Sequence, residues 1–105
     1  MLDQIEEDLE RAIERAVYFS KFFAINKTFD FAGLWDIYNK MVKELNRIDP
    51  DFFQTLEPLD FPKPRKMKFF MRVQYYGQYF GEHTLPLLAA LRNAKVLVQD
   101  YKRNL

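Results

Sequence analysis

The stretch YYGQYFGEHTLPLLAAL, Tyr75–Leu91, decides how the second half of this chain folds. Gly81 offers a stop to a helix arriving from the N-terminal side. Thr84 is a good N-cap, and Pro86 is tolerated in a first turn, where the amide it lacks would have no intrahelical partner. This reading predicts one helix over about 64–81 and another over about 84–103, the latter burying Leu88, Leu91, Ala94, Leu97, Val98 and Tyr101. The same residues admit a single longer helix, kinked between Gly81 and Pro86.

Immediately upstream, FPKPRKMKFFMRVQYYGQYF (Phe61–Phe80) holds five basic residues and seven aromatics in twenty positions. At about 100° per residue these separate into three sectors of one helix. Phe69, Val73, Tyr76 and Phe80 form the predicted core face. Beside them Lys68, Arg72, Tyr75 and Tyr79, with Arg65 at the edge, form a stripe of two bases followed by two tyrosines. Cations that neutralise phosphate next to rings that stack on bases suit a single-stranded nucleic acid. The same tyrosines also suit a core boundary, with buried rings and wet hydroxyls flanked by snorkelling bases. The third sector, Met67, Met71, Gln74 and Gln78, is neither ordinary core nor ordinary solvent face. Methionine adapts its shape to a partner, so this sector is a candidate protein interface.

Toward the N-terminus, Ile5, Leu9, Ala12, Ile13, Ala16, Val17 and Ser20 recur at three- and four-residue steps, predicting an amphipathic helix over about 2–24. Its early acids, Asp3, Glu6, Glu7 and Asp8, suit the positive end of the helix dipole, and Glu7 can pair with Arg11. A second helix is expected over about 30–48 through Leu34, Ile37, Tyr38, Met41, Leu45 and Ile48, with Trp35 beside the stripe. Asp49-Pro50 then sets a side-chain acceptor ahead of a first-turn proline, so a short helical turn is expected at about 51–56. Pro58, Pro62 and Pro64 exclude helix in LEPLDFPKP and make an extended connector. Its Leu59 and Phe61 are expected to pin it against the helices.

With 105 residues, 49% of them hydrophobic, the chain falls in the usual size range of one domain and can build a core unaided. It has no cysteine, which excludes disulfides, thiolate metal sites and a cysteine nucleophile. The acidic beginning, MLDQIEEDLE, lacks the pattern of a secretory signal, and the longest nearly apolar run, Leu85–Leu91, falls far short of a bilayer span of about 20 residues. A cytoplasmic protein that does not enter membranes is expected. The formal net charge of +1 conceals an asymmetry: residues 1–62 hold seven bases and thirteen acids, and residues 63–105 hold nine and two. Such a split arises from a polyanionic partner or from two parts of one fold that complement each other. Lys63, Lys66, Lys95, Lys102 and Arg103 would extend a basic field around the stripe.

Motifs for chemistry are lacking. The lone histidine, His83, is expected as a loop or cap neighbour and has no second ligand nearby in sequence. The lone serine, Ser20, has no base at helical spacing, and neither glycine-rich phosphate loop occurs. The expectation is an all-α, compact bundle of four main helices in a single domain, 1–105, without catalytic residues, metal or cofactor. Its expected role is a protein-interaction or assembly module that self-associates or docks on a protein through its last two helices. The alternative is an RNA- or single-stranded-DNA-binding subunit of a nucleoprotein complex.

Overall fold

The computed structural model describes the backbone of residues 2–21, 28–61 and 69–105, and the side chains of these except 20, 21, 28–31 and 69–81. Within them are three helices and no strand: α1, Leu2–Lys21; α2, Thr28–Ile48; and α3, Phe69–Arg103. The all-α expectation holds. The expected boundary between a third and a fourth helix does not exist, because α3 runs unbroken for 35 residues through Gly81, His83, Thr84 and Pro86. Thr84 is therefore not an N-cap, and His83 lies inside a helix.

The reason is one of phase. Eighteen residues make about five turns of an α-helix, so residues eighteen apart share an azimuth. Leu87, Leu91, Ala94 and Val98, all buried, each follow by eighteen residues one of Phe69, Val73, Tyr76 and Phe80. Leu91, Ala94 and Val98 of the second expected face, joined by Leu87, thus continue the first one. Breaking the helix at Gly81 would sacrifice that alignment, and the single proline costs only its own missing N–H and local crowding.

α1 buries Ile5, Leu9, Ala12, Ala16 and Phe19, and α2 buries Leu34, Trp35, Tyr38, Met41, Val42 and Leu45. Both sets follow the three- and four-residue rhythm of an amphipathic helix. α1 and α3 run antiparallel, a direction fixed by three ion pairs from two lysines: Lys95 Nζ lies 3.1 Å from Glu10, and Lys102 lies against Asp3 and Glu6. Seven residues separate each partner set on either helix, so the register continues to place Lys21 level with Thr84. The first fifteen residues of α3, about 22 Å of helix, begin beyond the last described turn of α1. The molecule measures 54 × 20 × 17 Å, and a straight α3 of about 52 Å accounts for the long axis.

The chain leaving α2 turns on Asp49. Its carboxylate accepts from the Phe52 amide at 3.0 Å, its carbonyl accepts from Phe53 at 3.1 Å, and the Leu56 amide donates to the Phe53 carbonyl at 3.0 Å. This turn carries Phe53 into the core with no exposed surface. Phe52 and Phe53 then stack edgewise and tilted on Tyr101 of α3, at 5.0 and 5.2 Å. The extended connector is held by amides of α2. Asn39 donates to the Leu59 carbonyl at 2.9 Å and accepts from its amide at 2.8 Å, while Tyr38 donates to the Glu57 carbonyl at 3.3 Å. Phe61 packs edge-on against Trp35 at 5.2 Å. The connector is pinned as its Leu59 and Phe61 suggest, as far as residue 61. Residues 62–68 and the 22–24 end of the first expected helix lie outside the described residues.

Candidate protein-interaction surface

The same five-turn spacing carries the Met/Gln sector along α3. Leu85, Ala89, Arg92 and Val96 each follow by eighteen residues one of Met67, Met71, Gln74 and Gln78. Their sector is the outer face of the helix. Leu85 is 59% exposed and Val96 52%, and Ala89 and Arg92 are exposed as well. A leucine and a valine held in water on a helix whose opposite side supplies the core are surplus to folding. Scattered exposed apolar residues are ordinary, but a row in phase along one face is the pattern of a helix with somewhere to dock. Met71, Gln74 and Gln78 occupy helical positions on this azimuth, with side chains outside the description, and Met67 lies outside the described residues.

The basic stripe fares differently. Arg65 and Lys68 fall outside the described residues, as do Lys63 and Lys66, and Arg72, Tyr75 and Tyr79 are placed only as positions on α3. Where the sector continues, its residues are Pro86, Ala90, Asn93 and Leu97, with no cation among them. The C-terminal bases have acidic neighbours within the chain. Lys95 is matched by Glu10, Lys102 by Asp3 and Glu6, and Arg103 by Asp100 at 2.8 Å. To that extent the charge asymmetry is internal: acids of α1 face lysines of α3.

This pairing sets the electrostatics of the molecule's end. The Lys102 ammonium, bonded to the Asp3 carboxylate, holds that carboxyl below its ordinary 3.8, and the same bond lifts Lys102 above 10.5. Burial raises the Tyr38 phenol, and burial together with the nearby Asp49 carboxylate raises Tyr101. Both tyrosines stay protonated donors.

Among the described residues no group of three histidines or acids could hold a metal ion, and no helix is long and apolar enough to cross a membrane. One further feature left no trace in local pattern: among the described residues there is one buried polar side chain, Thr84. Thr84 has no exposed surface, and its Oγ1 has no hydrogen-bond partner. Comparison with protein-family models, with curated proteins and with solved structures finds no match to this chain.

Proposed function

We propose that this chain is a non-enzymatic interaction module that docks on protein through the outer face of α3. The observation that carries this reading is the exposed apolar row, Leu85, Ala89 and Val96, on a helix whose opposite face is already committed to the core. The row is in phase with Met71, Gln74 and Gln78, so on a continuous helix the adhesive face extends over most of α3. A rigid, preformed helix face binds without the ordering cost that a flexible segment would incur.

The test places a photoreactive side chain at position 85 or 96, and in a control at exposed Glu7 of α1, in cells that make the protein. Protein adducts at 85 and 96 but not at 7 are expected. Adducts at none of the three positions, or equally at all, would contradict the assignment.

A further inference from the structure

The positive charge of the second half of the chain is compensated along only part of α3. The register set by Lys95 with Glu10 and Lys102 with Asp3 places Glu14, the last acid of α1, level with Leu91. The first fifteen residues of α3 form an arm that projects past the last described turn of α1. Between Asp60 and Glu82 the sequence has no acid and five cations, Lys63, Arg65, Lys66, Lys68 and Arg72, while the rest of the chain holds eleven bases against fifteen acids. Chain continuity alone puts the Lys68 Cα about 3.8 Å from that of Phe69, where α3 begins, and Lys66 within about 11 Å. The stretches 22–27 and 62–68, outside the described residues, contain no acid that could answer these cations. Along the axis Arg72 stands about 15 Å from Glu82 of its own helix and about 28 Å from the level of Glu14. Both distances exceed the screening length of about 8 Å at physiological ionic strength.

The arm also has a composition that the rest of α3 lacks. Positions 72, 75 and 79, holding Arg, Tyr and Tyr, share one sector of about 60°. Beyond Thr84 that sector continues as Pro86, Ala90, Asn93 and Leu97, without a cation or an aromatic ring. A mere boundary of the core would keep its character along the helix, whereas this one changes where α1 ends.

We propose that the projecting arm of α3 binds single-stranded nucleic acid. Arg72 and the cations leading into the arm hold phosphates, and Tyr75 and Tyr79, about one turn apart, offer rings on which unpaired nucleobases stack. The charge of the ligand complements the one part of the molecule that its own acids do not reach. This site is independent of the protein-docking face, which lies on another azimuth of the same helix, and either can fail without the other.

Fluorescence anisotropy of labelled oligouridine and oligothymidine, titrated with the purified full chain across a salt series, tests it. Binding that survives physiological salt is expected, with unlabelled duplex and polyglutamate displacing the single strand poorly. Lys68→Gln combined with Arg72→Gln should weaken binding to every sequence alike and flatten the slope of log affinity against log salt by about 1.4, since each phosphate contact on a single strand contributes about 0.7. Tyr75→Ala and Tyr79→Ala should each cost about fivefold or more, with the slope unchanged. Tyr75→Phe and Tyr79→Phe keep the ring and should bind as wild type does. Lys43→Gln, which removes an exposed cation of α2, should change neither quantity. Should an alanine variant lose helix by circular dichroism, the glutamine and phenylalanine variants decide the matter. No binding at low salt, affinity unchanged in the glutamine pair or in well-folded alanine variants, loss of affinity in the phenylalanine variants, or an equal loss with Lys43→Gln would each overturn the assignment. Displacement by duplex or by polyglutamate as effective as by single strand would overturn it too, in favour of a duplex or of an acidic protein.

Discussion

Leu9, Leu45 and Leu91, one from each helix, have no exposed surface, and shortening any of them to alanine removes packing that the neighbours cannot fully close over. A loss of about 2–5 kcal/mol is expected for each in chemical denaturation; a midpoint that barely moves would mean the residue is not in the core. Thr84 points the other way. Its hydroxyl has given up water without gaining a partner, at a cost of about 1–3 kcal/mol for such a group. Thr84→Val keeps the shape and removes the hydroxyl, so the melting temperature should rise, and a fall would show the hydroxyl to be bonded. The Asp3–Lys102 pair gives a pH dependence of known sign. Asp3 titrates below its ordinary 3.8 in the folded chain, so its contribution is complete above that value and disappears as pH falls through the lower one. Lys102 contributes fully below 10.5 and loses its share as pH rises through its raised value. Melting temperatures of wild type and Asp3→Asn should therefore differ at neutral pH and converge in strong acid. Curves that stay parallel through that range would remove the pair from the stability of the fold.

At the scale of elements, the periodicity of α1 and α2 was readable because it is local: a dozen residues suffice to show which face is apolar. The end of α3's first half was misread for the same reason. Gly81, Thr84 and Pro86 each carry a strong local signal for a boundary, and the opposing signal is the agreement in phase of two apolar stripes eighteen residues apart. The Asp49 turn announced itself through its Asp-Pro pair, but the two bonds from Asn39 to Leu59 span twenty residues and left no trace in local pattern. Of the proposed interaction surface, the Met/Gln sector is legible as a sector of its own, and its continuation through Leu85 and Val96 follows only once the helix is known to be continuous. The pairing of Lys95 and Lys102 with α1 likewise needed the antiparallel register. Pro86→Ala separates the two descriptions of this element. In the interior of one long helix it restores an amide and relieves crowding, worth up to about 3 kcal/mol, whereas in the first turn of a separate helix it gains little. A clear rise in melting temperature is expected.

Across the whole molecule, one long helix presents two different faces. Its inner face is core for the described half, packed against α1 with lysines matched to acids, and its outer face is exposed at Leu85, Ala89, Arg92 and Val96. The proposed docking surface depends on the continuity of that helix, since a break near Thr84 would turn the Met/Gln half away from Leu85 and Val96. The chain has no cysteine, so Gln74→Cys and Asn93→Cys place two spin labels at defined positions on either side of the disputed segment. The distance between them is measured by pulsed electron resonance, with labelled protein diluted into unlabelled. A continuous α3 separates the two Cα atoms by about 28 Å, and a narrow distribution near that value is the expected result. A hairpin of two helices packed side by side brings the same positions to about 10 Å, and a distribution centred there would contradict the account.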